Sequence, residues 1–248
     1  MLSKANVKYI QSLQHKKFRD EYHVFVAEGP KLMTELLEDD FFELEALFLI
    51  RSWMDELDNS LLEKFKEKVH VVEEFELEKI SALKSPNKGV GLFKKKTPVS
   101  DFDIKASITL VLDDINDPGN MGTIIRTADW FGIKNIVCSM NTVDCYNPKV
   151  VQSTMSSLSR VNIIYTDLIK WLQKNKNIPI YCSALDGLKL NQIENKNEAI
   201  LIIGNEANGV SHEVMNCADE MITIPKIGEA ESLNAAVATS IMLYEFKR

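Results

Sequence analysis

The sequence predicts an α/β protein in two parts: a small α/β unit, then a larger unit built on a largely parallel sheet. Three observations carry this. From Ile108 onward, short apolar runs of strand length alternate with stretches of helical period. Between Lys31 and Leu83 the same alternation recurs in shorter, more acidic segments. The charged stretch Lys94–Asp103, which contains Pro98, reads as a linker between them. The boundaries are residues 1–97 for the first unit, 98–106 for the linker and 107–248 for the second.

In the first unit Lys31–Glu38 reads as a helix and Glu45–Ile50 as a strand. Leu61–Lys68 is a helix, Val69–Val72 a strand and Glu76–Leu83 a helix. Two basic stretches flank these elements. One is Lys4, Lys8, Lys16, Lys17 and Arg19, with His15 and His23; the other is Lys84–Lys96, read KSPNKGVGLFKKK. In the second unit Ile108–Leu112 is a buried strand, followed by a turn and a helix over Met121–Trp130. Asn135–Cys138, Val161–Ile164, Pro179–Cys182, Ala199–Ile203 and Met221–Ile224 are strands. Helices run through Pro148–Leu158, Asp167–Lys174 and Asn234–Phe246. Strands alternating with helices of this length form a parallel sheet covered on both faces.

Composition excludes several classes. The 248 residues are 45% hydrophobic and 26% charged, with 10 Gly and 7 Pro, unlike a disordered or fibrous chain. No apolar run reaches bilayer length, and the opening Met1-Leu2-Ser3-Lys4 lacks a secretory pattern, so a cytoplasmic protein is expected. Cys138, Cys145, Cys182 and Cys217 form no close pair and do not cluster with the four His. Reduced, buried thiols and no metal site follow. The net charge of −7 disfavours broad, unspecific RNA affinity, although local basic stretches decide where phosphates sit.

Ligands of parallel α/β sheets bind beyond the carboxyl ends of the strands. Three loops there have unusual composition. The first is Asp114-Ile115-Asn116-Asp117-Pro118-Gly119-Asn120-Met121-Gly122, with Arg126 six residues beyond Asn120. Pro118-Gly119 makes a tight turn, Asn120 is a candidate helix cap, and Arg126 lies toward the helix opening, where anions are favoured. The second is Gly204-Asn205-Glu206-Ala207-Asn208-Gly209-Val210-Ser211, whose glycines permit positive φ and close approach to a ligand. Its Glu206 can accept hydrogen bonds from ribose hydroxyls or a cationic ligand. The third is Ile224 to Asn234, in which Ser232 and Asn234 are candidate caps for the last helix. Read alone, each is a capped helix or a stabilised loop. No Gly-x-Gly-x-x-Gly, Gly-Lys-Ser or nucleophile elbow is present, which disfavours a nicotinamide oxidoreductase, a P-loop NTPase and a serine hydrolase.

Taken together and in order, DDINDPGNMGTIIRTAD, IIGNEANGVS and IPKIGEAESLNAAVATSIMLYE resemble the three signature motifs of the SpoU (TrmH-type) RNA 2′-O-ribose methyltransferases of the SPOUT superfamily. Asn147-Pro148-Lys149-Val150-Val151 resembles an element that the family carries between the first two motifs. Two departures stand out: Ala207 where the family has Gly, and Gln152-Ser153-Thr154-Met155-Ser156 where it reads Arg-Ala-Ser-x-Gly. The N-terminal stretch resembles, more loosely, the small ribosomal-protein-like substrate-binding domain that precedes many of these catalytic domains; its best part is Phe25-Val26-Ala27-Glu28-Gly29-Pro30-Lys31.

The resemblance implies a trefoil-knotted catalytic domain, S-adenosyl-L-methionine bent in the knot, and a homodimer that completes the site. It implies cofactor contacts at Ala184, Gly204, Ile224, Ser232 and Leu233, and a reaction centre of Asn120, Arg126, Glu206, Ser232 and Asn234. In the family the residue matching Arg126 is proposed as the general base. A guanidinium holds its proton too firmly for a base, which argues instead for a phosphate grip, with Ser232, Asn234 or Glu206 positioning the hydroxyl. Ribosomal RNA is the expected substrate. Transfer RNA, a catalytically inactive RNA-binding protein, and a small-molecule enzyme on an ordinary doubly wound sheet are the alternatives. The lysines Lys94–Lys96 read as linker or as a track for RNA phosphates.

Overall fold

Ser3 opens the first helix by accepting a hydrogen bond from the Asn6 amide at 3.1 Å, as Ser favours at such a position. The computed structural model describes residues 2–193 and 197–248. The chain divides into two units, Met1–Thr97 with Asp144–Ser159, and Pro98–Val143 with Arg160–Arg248.

The first unit runs α1 (Lys4–Ser12), α2 (Lys16–Tyr22), β1 (Val24–Glu28), α3 (Pro30–Asp39), β2 (Leu44–Leu49), α4 (Arg51–Met54), α5 (Asn59–Lys64), β3 (Val69–Val71), α6 (Glu74–Ile80) and β4 (Gly89–Lys94). Its sheet has the order β1-β4-β2-β3, with only β2 and β3 parallel. Ile10, Leu13, Val26, Leu77, Val90 and Leu92 are among its core. The helix expected over Leu61–Lys68 is α5 and a separate 3-10 turn at Lys66–Lys68. The one expected over Glu76–Leu83 starts earlier, where Glu73 and Glu76 form a capping box, and stops at Ile80.

Strand β4 lies inside the sheet although it falls within the basic stretch Lys84–Lys96. Its glycines make room for rings: a Cβ on Gly89 meets Trp53 at 2.6 Å, and one on Gly91 meets Phe93 at 2.7 Å. Glycine is depleted from strands, so propensity conceals this one.

The second unit contains β5 (Ile108–Leu112), α7 (Pro118–Trp130) and β6 (Asn135–Cys138). The chain then supplies α8 (Pro148–Thr154), which belongs to the first unit and packs on β1. The second unit resumes with β7 (Asn162–Tyr165), α9 (Leu168–Lys174), β8 (Ile180–Lys189), β9 (Ala199–Ile203), α10 (His212–Met215), β10 (Glu220–Thr223) and α11 (Ala235–Lys247). Its sheet has the order β10-β8-β9-β5-β6-β7, and all pairings are parallel. Leu110, Val111, Leu201 and Ile202 are fully buried at its centre. The chain reverses direction across the sheet between β5 and β9, which sets the binding crevice at their carboxyl ends. β8 extends well past the expected Cys182, because its polar outer half pairs with β10 across a register shift at Met221/Ile222.

α8 is shorter than its apolar pattern suggests. Met155 and Ser156 take left-handed φ of 49° and 68°, which ends the helix before the 3-10 turn Ser157–Ser159. Ser156 stands where the family has Gly, and its hydroxyl meets the Glu35 carboxylate.

One buried ion pair anchors this segment within the first unit. Arg19 donates to the Asp144 carboxylate from Nε at 3.0 Å and Nη2 at 2.7 Å. Its Nη1 donates to the carbonyls of Leu13 and Gln14, both at 2.9 Å. A fully satisfied buried pair costs most when one partner is removed. Arg19→Leu is therefore expected to lower the unfolding free energy by about 3 kcal/mol or more in urea denaturation. A loss below about 1 kcal/mol is what an exposed pair gives, and would show that the pair is not structural.

Candidate active site

The first loop folds around Asp117. It is the N-cap of α7, and its carboxylate accepts from the Asn120 amide at 2.8 Å, with Pro118 in the first helical turn. Asn120 is thus not the cap; it lies one turn inside the helix, and its side chain is free for other partners. Asn120 Nδ2 donates to the Glu206 carboxylate, and its Oδ1 accepts from Asn234 Nδ2 at 2.9 Å. One side chain thereby joins all three loops.

Asn234 is the N-cap of α11, accepting from the amides of Ala236 at 3.0 Å and Val237 at 3.3 Å. Ser232, the other candidate cap, does not cap the helix; it is exposed and lines the cavity described below.

The second loop closes on itself. Asn205 and Gly209 exchange two backbone hydrogen bonds, of 3.0 and 2.9 Å, and Gly209 takes φ 68°. A Cβ at Gly204 would lie 2.3 Å from the Gly209 backbone, so the close approach there is to the loop itself. Ala207 is not among the positive-φ residues; its departure from Gly needs no special torsion.

Two residues that the sequence reading did not single out moor this loop to the end of β5. Asn205 Nδ2 donates to the Asp114 carbonyl at 2.8 Å. Buried Asp113 accepts from the Ser211 amide at 2.8 Å and its hydroxyl at 2.6 Å. An aspartate directly after a buried strand was the available signal. Burial first, and Asp113 second, push the Cys182 thiol up to about 12. Cys182 therefore stays a neutral thiol and is no nucleophile.

A cavity of about 860 Å³ opens beyond these strands, walled by parts of β8, the second loop and the third. That volume suits a cofactor-sized ligand. The structure brings Ala184, Gly204, Glu206, Ile224, Ser232 and Leu233 together on its wall. Leu185, Ile227 and Leu233, 73%, 100% and 45% exposed, form an apolar lip. Asn120 and Asn234 reach it through their hydrogen bonds to one another and to Glu206. Arg126 does not line it; it is exposed near the middle of α7, without an ion pair among the described residues. Among the described residues no group of three or more His, Cys, Asp or Glu is placed to hold a metal ion.

The SpoU rRNA Methylase family model matches residues 107–244, and the MRM3-like substrate binding domain matches residues 4–91. Over 141 residues the chain is 34% identical to the 23S rRNA (guanosine(2553)-2'-O)-methyltransferase RlmP of Bacillus subtilis, covering 56% of this chain and 57% of that one. It is 30% identical over 208 residues to an uncharacterized tRNA/rRNA methyltransferase of Borreliella burgdorferi, covering 81% and 87% of the two chains. The crystal structure of an AdoMet-bound rRNA methyltransferase from Sinorhizobium meliloti superposes with a TM-score of 0.87 at 30% identity, covering 100% of this chain and 96% of that one. The chain belongs to the SpoU rRNA Methylase family and carries an MRM3-like substrate binding domain ahead of its catalytic domain.

Proposed function

We propose that this chain transfers a methyl group from S-adenosyl-L-methionine to a ribose 2′-hydroxyl of ribosomal RNA. The observation that carries the reading is the joining of the three family motifs at one cavity through the Asn120 side chain. The 23S rRNA specificity in the name of the Bacillus relative, and the AdoMet in the Sinorhizobium structure, support the substrate and the cofactor. The residues fit such a cofactor: the apolar lip suits a flat base, while polar groups of Glu206 and Ser232 face the same space.

When bound, the cofactor supplies a sulfonium-activated methyl group. In this reading Ala184, Gly204, Ile224, Ser232 and Leu233 hold it. Asn120 and Asn234 fix the orientation of Glu206. The hydroxyl loses its proton as the oxygen attacks; of the carboxylates lining the cavity, Asp186, Glu206 and Glu231, Glu206 is the one held by Asn120, and it is the acceptor in this reading. Arg126, exposed and without an ion pair among the described residues, grips an adjacent RNA phosphate; a guanidinium holds its proton too firmly to serve as a base.

The reading extends to assembly. Val237, Ile241 and Tyr244 lie at helical spacing on α11 and are 47%, 38% and 60% exposed; Trp130, on the partner helix α7, is 85% exposed. This patch fits a second copy of the chain. The return of α11 to pack on α7 and on the turn Leu190–Gln192 supports the knotted path that the resemblance implies. In this reading the protein works in the cytoplasm, on ribosomal RNA. Among the described residues no helix is long and apolar enough to cross a membrane.

The direct test incubates the protein with methyl-labelled S-adenosyl-L-methionine and RNA from cells lacking the gene, then maps ribose methylation. Label in one large-subunit ribosomal RNA position is expected; label in transfer RNA alone would overturn the substrate, and no label the activity. Arg126→Ala is expected to lose at least about 100-fold in turnover, the scale of a lost charge contact in a transition state, while calorimetry shows unchanged cofactor affinity. Near-normal methylation by that variant would remove Arg126 from the reaction centre. Ile241→Glu is expected to convert a dimer to a monomer in sedimentation; a wild-type monomer at micromolar concentration would reject the dimer.

A further inference from the structure

The two basic stretches meet different fates in the first unit. In the second stretch, Lys88 pairs with Glu56 at 2.7 Å, Lys94 with Glu45, and Lys95 with Asp20 at 2.6 Å. Lys96 rests over the Phe41 ring at 5.2 Å. Three of the five lysines in that stretch are therefore paired with carboxylates of the protein itself. In the first stretch, Lys4, Lys8, Lys16 and Lys17 are all exposed, and none forms an ion pair among the described residues. α1 carries no carboxylate at all, and α2 carries Asp20, already held by Lys95, and Glu21. In a chain of net charge −7, this is a concentrated positive surface.

Aromatic rings share the same two helices. Tyr22 is 41% exposed, stacks on Phe18 at 6.2 Å with planes 13° apart, and meets Tyr9 edge-on at 5.1 Å. Lys17 lies 5.7 Å from the Phe18 ring centre. The ring of Tyr22 is thus braced by two others, on helices that carry the four exposed lysines. Basic side chains track a nucleic-acid backbone, and a braced ring with an open face stacks an unpaired base.

We propose that the α1–α2 face is the RNA-docking surface of the first unit, with Lys4, Lys8, Lys16 and Lys17 on the phosphate backbone and Tyr22 stacking one unpaired base. The inference deepens the ribosomal RNA reading and rests on it for the identity of the strand. It leaves the lysine run Lys94–Lys96 to contacts within the chain, Lys94 and Lys95 with carboxylates and Lys96 with the Phe41 ring.

The test uses the full chain and protein-free ribosomal RNA from cells lacking the gene, with affinity measured across a salt series. The triple variant Lys8→Gln, Lys16→Gln, Lys17→Gln is expected to reduce the slope of log affinity against log salt by about 2, at about 0.7 to 0.9 per lost phosphate contact. Turnover at saturating RNA and cofactor affinity are expected to stay as in wild type. Tyr22→Leu, which keeps apolar packing against Phe18 and Tyr9, is expected to weaken RNA binding about five-fold or more with the salt slope intact. An unchanged slope in the triple variant, with folding verified by its melting curve, overturns the docking surface. Unchanged affinity in Tyr22→Leu overturns the stacking. Wild-type protein that binds the RNA with the expected slope change yet methylates nothing would sink the enzymatic reading and leave the docking surface standing.

Discussion

The side-chain amide of Asn120 donates to Glu206 and accepts from Asn234, so one planar group bridges stretches separated by 86 and 114 residues. The relative placement of the three loops at the cavity rests on that bridge. Asn234 can serve it only because its own oxygen is already occupied in capping α11, which fixes the rotamer. Asn120 can serve it only because Asp117 caps α7 in its place. An amide is the group the position needs, since it donates on one side and accepts on the other; a carboxylate there would face Glu206 as a like charge.

Behind the bridge the second loop is held by a different set of bonds. Asp113 and the Asp114 carbonyl moor Ser211 and Asn205, while Gly204 and Gly209 allow the loop to fold flat upon itself. The loop is thus set by its own backbone and by the end of β5, before any ligand arrives. Such preorganisation lowers the ordering cost of binding. It also explains why Ala207 is tolerated where the family has Gly: the torsion demand lies at Gly209.

The first unit solves another problem, that of a segment borrowed from the middle of the catalytic sequence. Asp144–Ser159 leaves the parallel sheet between β6 and β7 and packs with residues 1–97. The Arg19–Asp144 pair lies at its start, where the buried guanidinium donates to the carboxylate and two carbonyls. Family resemblance runs straight through this segment, and linear boundaries at residue 97 or 107 do not register that it packs elsewhere.

The sequence by itself determined the parallel sheet and the three loops. Ile108–Leu112, Asn135–Cys138 and Ala199–Ile203 are strands over the very residues that their apolar runs mark, because central parallel strands are buried on both faces and tolerate few polar residues. The order of loops along the chain was equally legible, since each follows a strand. Tertiary structure alone decided what those loops do to one another. It made Asp117 the cap and left Asn120 to bridge, kept Ser232 exposed, turned β4 into an inner strand through glycines fitted to Trp53 and Phe93, and carried β8 beyond Cys182. These outcomes rest on contacts between distant residues, and neither local propensity nor periodicity encodes which distant partner a polar side chain or a glycine will meet.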